Sequence, residues 1–413
     1  VPRPRVGVLS REPSGLPDAV RQAGAEPVHL PPPASFPPGG VALAREWTAD
    51  LAEVSCANGS LDALLLDAGS PAELSGQILA ALRLDLPSVC AAPPATPFSV
   101  ALAALGLALL SGDAPEVAVA LARDGGPRTS QIVDNFSLAN ALRAGVSAGG
   151  GPETLVHLSA LAREAGVPGF SQMVRVLAPE TPVFVEPDSP WLRERGAGGL
   201  LALLSASVPG TLHDARTVAG PLKGLLPDAP PVPDPPGTRL LFVRGRASGT
   251  EGVCRARDAD AGIAGECRVF GSEAEAARAV EGDEIGPGDL VVVGGCGPRG
   301  TPGLSRLDAL AAALNRAGLR DATVLTDGLA PDGAPGTWVS VLSPEAVAGG
   351  VIGVLRDGDP LRVDLREGRL RTGVGADEFA EREPFAAGRP PSAGYAARYA
   401  RAALPALEGA GFG

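Results

Sequence analysis

Lysine is almost missing from this chain, aromatic residues make up only 4% of it, and no apolar run is long enough to span a bilayer. Each shortage closes a class of function. The longest mostly apolar stretch, Phe98 to Leu110, has 13 residues, whereas a membrane helix needs about 20. The first ten residues hold no apolar signal core, so a cytoplasmic location and no membrane partner are expected. A net charge of −12 with a pI near 4.9 is the wrong sign for a phosphate backbone, which excludes nucleic acid. The five cysteines, Cys56, Cys90, Cys254, Cys267 and Cys296, contain no Cys-x-x-Cys pair, so neither a disulfide framework nor a zinc spacing is present. The glycine-rich stretches carry no Walker or dinucleotide fingerprint.

What remains is a chain of 413 residues, 45% apolar, rich in glycine and proline and long enough for two or three domains with real cores. Arg5–Ser10, Leu61–Asp67 and Pro87–Cys90 read as strands, with helices over Leu16–Ala23 and Pro71–Leu84. That alternation predicts a parallel α/β layer. Residues 98–123 and 129–166 read as helical, the second stretch broken at Gly149-Gly-Gly-Pro152. Six prolines lie within Pro227–Gly237. Such a segment cannot sit inside a helix or central strand and predicts a stiff linker between domains at 1–226 and 238–413. Beyond it, strands are expected at 239–244, 289–293, 322–326 and 361–365, with helices at 272–279 and 305–317, giving a smaller β-rich α/β domain.

Several motifs in order carry a family resemblance. In the C-terminal half they are Gly297-Pro-Arg-Gly-Thr-Pro-Gly303, Thr326-Asp-Gly328, Ser343-Pro-Glu-Ala-Val-Ala-Gly-Gly350, Arg356-Asp-Gly-Asp359 and Gly394-Tyr-Ala-Ala-Arg-Tyr-Ala400. In the N-terminal half they are Ala80–Ser88, Thr154–Val167 and Gly210–Gly220. Together they resemble the dihydroxy-acid dehydratase and 6-phosphogluconate dehydratase family. The resemblance implies an N-terminal parallel α/β domain, a C-terminal swivelling β-barrel-like α/β domain and a homodimer. It also implies hydro-lyase chemistry, in which a [2Fe–2S] cluster acts on the departing hydroxyl, Mg²⁺ orients the substrate and a serine removes a proton.

The same resemblance locates departures. Where the family has a Cys-Asp-Lys triplet this chain has Ser70-Pro71-Ala72, and the loop for the first cluster cysteine is shortened to Leu9–Gly15. The loop for the third is reduced to Cys90–Pro97. The magnesium glutamate position holds Arg306, and the base serine position holds Pro331. None of these replacements offers the thiolate, the hard anionic oxygen or the hydroxyl that the chemistry needs. No cofactor and no metal ligand are therefore assigned.

The residues left to test are Cys296 as a nucleophile and the His213-Asp214 pair. The bland alternatives are a packed strand-end cysteine and a structural loop histidine, because neighbouring side chains diverge. His157 reads as a core histidine. Arg299, Arg306, Asp327 and Asp332 should line the family's cleft, where two arginines could clamp an acidic metabolite. Three functions stay open: an inactive partner or regulatory paralogue, pairing with itself or with a true dehydratase subunit; a repurposed, cluster-independent enzyme of secondary metabolism acting on a small hydroxy acid; and a metabolite sensor. Tyr395 and Tyr399, one helical turn apart, are expected to be largely buried.

Overall fold

The computed structural model describes residues 3–11, 15–30, 40–57, 59–91, 96–245, 249–257, 262–286, 288–301, 303–385 and 392–413. The chain divides into two compact units. One comprises Val1–Pro37, Ala44–Gly150 and His157–Pro236; the other comprises Gly237–Gly413 together with Pro38–Leu43 and Gly151–Val156. Among the described residues no helix is long and apolar enough to cross a membrane.

The first unit opens with β1 (Arg5–Leu9), α1 (Leu16–Gln22), β2 (Glu26–Leu30), α2 (Val41–Ala57), β3 (Ala63–Leu66), α3 (Pro71–Leu84) and β4 (Ser88–Cys90). The strands form a parallel sheet in the order β2-β1-β3-β4, and each return between them is helical, as parallel pairing demands. Val6, Val8 and all of Leu64–Leu66 are completely buried. This is why the strands read as unbroken apolar runs rather than as alternation. Helix α3 starts where it does because Ser70 accepts the Glu73 N–H at 3.3 Å and Pro71 fills the first helical position, where its missing N–H costs nothing.

Helices follow: α4 (Pro97–Leu105), α5 (Ala114–Asp124), α6 (Asn135–Ser147), α7 (Pro152–Glu164), α8 (Phe170–Glu180) and α9 (Pro190–Ser207). They close with the small pair β5 (Arg216–Thr217) and β6 (Gly220–Pro221). The helix expected over 98–123 is interrupted between 106 and 113. Gly106 takes φ 94° to end α4, and a Cβ there would lie 2.8 Å from the Arg216 carbonyl oxygen, so only glycine permits the turn. Val100, Ala104, Ala144, Leu200, Leu201 and Leu204 make the core between these helices. The same unit holds a charged hub: Arg83 reaches Asp50 at 2.9 Å, Glu53 and Glu164 at 3.2 Å and Glu46 at 3.6 Å, while Glu46 also takes the buried Arg45 at 2.8 Å.

The second unit is a closed eight-stranded barrel. Its strands are β7 (Thr238–Gly245), β8 (Glu251–Arg257), β9 (Gly262–Phe270), β10 (Leu290–Val293), β11 (Thr323–Thr326), β12 (Thr337–Ser343), β13 (Pro360–Asp364) and β14 (Arg369–Thr372). They run in the order β10-β11-β12-β8-β7-β14-β13-β9. β9 to β12 are parallel neighbours, and α10 (Glu273–Glu281) and α11 (Asp308–Arg316) connect them outside the barrel. Leu241, Val243, Cys254, Val292, Leu325 and Val363 belong to the inner core. Each such buried aliphatic side chain contributes roughly 1.5–3 kcal/mol relative to exposure. Helix α11 starts at Asp308 rather than 305, because Arg306 bridges Leu329 in extended form.

Two further helices, α12 (Ala376–Glu381) and α13 (Gly394–Ala402), end the chain. Tyr399 on α13 is fully buried, with its hydroxyl donating to the Ala410 carbonyl at 2.5 Å and its ring edge-on to Phe412. Tyr395, in the first turn of the helix, is partly exposed and also meets Phe412 edge-on; both tyrosines are largely buried, as expected.

Candidate functional site

The parallel strands β10, β11 and β12 end in three loops, 294–305, 327–333 and 344–353, and loops at the carboxyl ends of parallel strands are where such sheets place ligand chemistry. Asp327 leaves β11 completely enclosed, 1% exposed. Its carboxylate accepts N–H bonds from Cys296 at 2.8 Å, Ala346 at 2.9 Å and Gly295 at 3.1 Å. One side chain thus ties all three loops together. Burial pushes the Asp327 carboxyl up, against the pull of those three donors. Glu345 joins two of them from the β12 side, accepting from the Arg299 N–H at 2.9 Å and the Gly300 N–H at 3.2 Å. It is pushed up to about 7 by burial and by the charge of Asp327, opposed by those N–H groups and by the Arg299 guanidinium.

The loops are dense enough that glycine is obligatory. A Cβ on Gly328 would stand 2.7–2.8 Å from Leu307, Cys296 and Ser305, and one on Gly297 would meet Glu345 Oε2 at 2.4 Å. The packing is also strained. Val341, a β-branched residue, holds φ 50° where β12 bulges between Ser340 and Ser343, and its N–H reaches the Gly328 carbonyl at 2.8 Å. A valine in the left-handed region costs on the order of 1–3 kcal/mol and persists only where its surroundings over-determine it; here the Asp327 loop does so.

A second cluster lies in the same unit. Arg306, on the strand-like segment before α11, donates from Nη1 to Glu153 at 3.1 Å and from Nε to Asp308 at 2.9 and 3.1 Å. The Asp332 carboxylate accepts the Gly151 N–H at 3.1 Å. Though Asp332 is exposed, the protein crowding it pushes its carboxyl up to about 6; Glu153 adds to this, and Arg255, the Gly151 N–H and Arg306 oppose it. Water at its open edge screens part of that penalty.

The sequence-derived candidates therefore separate. Asp327 and Cys296 touch through the Cys296 N–H. The Cys296 thiol itself is 3% exposed, packs 3.9 Å from the Gly294 carbonyl and is pushed far up by burial and then by Asp327, which suits a core residue and not a thiolate. Arg299 and Arg306 have different partners, the Arg299 Nε donating to the Ala403 carbonyl at 3.0 Å. His213 and Asp214 lie in the other unit, exposed and diverging. The His213 backbone N–H and carbonyl are both bonded by the Asn140 side-chain amide and its ring faces Phe136, while Asp214 accepts the Lys223 N–H at 2.8 Å. His157 is fully buried against Phe98. Glu345 and Glu153 escaped the sequence reading, although Glu345 stands inside the quoted Ser343-Pro-Glu-Ala motif.

All five cysteines are buried, and burial pushes Cys56 up to about 11 and Cys90 and Cys267 to about 12. Among the described residues no three His, Cys, Asp or Glu side chains are grouped to hold a metal ion. Residues 12–14 and 92–95, within the two shortened loops, lie outside the described residues; their side chains include no thiol. Pro331 is described and precedes Asp332 in its loop.

Residues 242–410 match the family described as dihydroxy-acid/6-phosphogluconate dehydratase C-terminal. The chain is 32% identical to a dihydroxy-acid dehydratase of Geobacter metallireducens over 303 residues, 68% of this chain and 54% of that protein. It is 32% identical to one of Aquifex aeolicus over 285 residues, 63% and 51%, and 30% identical to one of Chloroflexus aggregans over 356 residues, 76% and 63%. The chain thus spans about half the length of the first two relatives.

Proposed function

We propose, from the chain's relationship to the dihydroxy-acid and 6-phosphogluconate dehydratases, that it does not run cluster- and magnesium-dependent dehydration and serves as a partner or regulatory relative. It forms a homodimer or joins a true dehydratase subunit, and it uses no cofactor. The observation that carries this reading is Arg306. Where the resemblance calls for a magnesium glutamate, the chain has a guanidinium already bonded to Glu153 and Asp308. A fixed cation bonded to these carboxylates repels Mg²⁺ instead of binding it. The cysteines add to this: the resemblance calls for three cluster thiolates in the N-terminal part, and here Cys254 and Cys267 belong to the barrel core and Cys296 to the layer outside it, leaving only Cys56 and Cys90 in the first unit. Likewise Ser70-Pro71-Ala72 form a helix start, not a ligand triplet.

Anaerobic reconstitution with iron and sulfide tests the reading. The protein should stay colourless, retain no stoichiometric iron after desalting and leave 2,3-dihydroxy-3-methylbutyrate unchanged with Mg²⁺ present. A visible absorption band with bound iron, or turnover above a matched blank, overturns it.

One observation favours a second reading, a repurposed enzyme without a cluster. Asp332 directly follows the proline at the family's base position, and its carboxyl at about 6 is matched to proton transfer near neutral pH. Turnover of a small hydroxy acid by the purified chain, lost in Asp332→Asn, would select this reading over the first.

A further inference from the structure

The barrel closes through a short seam. β7 and β8 pair over seven positions, but β7 and β14 pair over only two, Arg244 with Arg369 and Gly245 with Leu370. Where the seam runs out, a cavity of about 450 Å³ opens at the barrel mouth, lined mostly by apolar groups of Val351, Leu361, Leu370, Val374 and Phe379 with Thr250 at its edge. A second cavity of about 470 Å³ adjoins it and is lined by Arg244, Arg369 and Arg371. The two share Gly245, Leu370 and Arg371. Barrel mouths are habitual ligand sites, and both volumes fall in the range that small ligands fill.

Arg244 is paired with Glu251 at 3.0 Å, but the rest of this rim carries more arginine than carboxylate. Arg369 and Arg371, two apart on one strand, project to the same side and share one carboxylate, Glu367, at 3.2 and 3.6 Å. Arg371 also stands directly opposite Arg362 in the β13–β14 pair, a like-charge contact that destabilises a sheet. In a chain of net charge −12, a local excess of arginine beside an apolar chamber is a specific feature that an anion would relieve.

We propose that this mouth binds a medium-chain carboxylate, with its head on Arg369 and Arg371 and its chain passing the end of the seam at Gly245 to rest against Val351, Leu361 and Phe379. The planar guanidinium fork fits a carboxylate. The apolar chamber gives a small inorganic anion nothing to bury and gives an uncharged alcohol no use for the arginines. Nothing in this site depends on the proposed function of the Asp327 loops.

Calorimetric titration of the full chain with octanoate, octanol and inorganic phosphate tests it. Octanoate should bind saturably at one site, and octanol and phosphate at least about tenfold more weakly. Arg369→Ala and Arg371→Ala, exposed positions whose replacement should not lower the thermal melt, should each weaken octanoate about tenfold, the loss expected for one charge-assisted bond. Phe379→Glu should weaken it through the chamber while leaving both arginines in place. Equal affinity for octanol with intact binding in the arginine variants would show a greasy crevice, equal affinity for phosphate a plain anion patch, and absence of octanoate binding at millimolar concentration no site; each overturns the proposal.

Discussion

Replacing Glu345 by glutamine should flatten the pH dependence of unfolding between about pH 4.5 and 7. The carboxyl stands at about 7 in the folded chain, against an ordinary value of 4.5. Across that interval the folded chain binds more protons than the unfolded one. The stability linked to this group is therefore full below 4.5 and lost as pH rises through about 7. A step of that size corresponds to roughly 3 kcal/mol, and since Glu345 is only 7% exposed, solvent screening removes little of it. Asp327, pushed up beside it, takes over part of the titration in the variant, so the net change should be about 1–3 kcal/mol. Glutamine keeps an oxygen for the Arg299 and Gly300 N–H groups and never ionises. Urea unfolding of both proteins across this range, subtracted one from the other, gives the readout: the variant gains stability relative to the parent as pH rises. Parallel curves would refute the reasoning, because Glu345 would then not be the titrating group.

Three more expectations are open to direct measurement. Arg83→Ala should cost about 1–2 kcal/mol in chemical denaturation at neutral pH, because it removes the partner of the partly buried Glu164 while Glu46 keeps Arg45, and the half-exposed Asp50 and Glu53 add little. Light scattering should give twice the chain mass at micromolar concentration, while a monomer would remove support from the partner reading. Limited proteolysis should cut first within residues 227–237, with stable fragments on either side; a first cut inside 98–166 with that segment intact would count against the boundary.

How far the sequence foretold this architecture depended on how local the cause was. Helix α3 was legible from end to end, because Ser70, Pro71 and the apolar spacing through Leu82 are all within the segment. β10 and β11 were legible because burial on both faces leaves runs such as Leu290-Val-Val-Val293. β8, β9, β12 and β14 were not read. β14 is Arg-Leu-Arg-Thr, four residues with a single buried side chain, and β9 is half-exposed with two glycines; both are strands because the barrel supplies their neighbours. The site shows the same divide. Asp327 and Arg306 stood in recognisable motifs, but Glu345 and Glu153 acquire their roles from segments about 45 and 150 residues away, and no local pattern announces such pairing.

The two-residue seam also fixes when this unit can exist at all. β7 is its first strand to leave the ribosome, and its closing partner, β14, ends at Thr372. Until that residue emerges, more than 130 residues of nascent chain can form at best an open sheet with β7 as a bare edge, a template for pairing with another chain. Arg239 and Arg244, spaced along β7, put positive charge on that edge for the interval, the usual guard against edge-to-edge association.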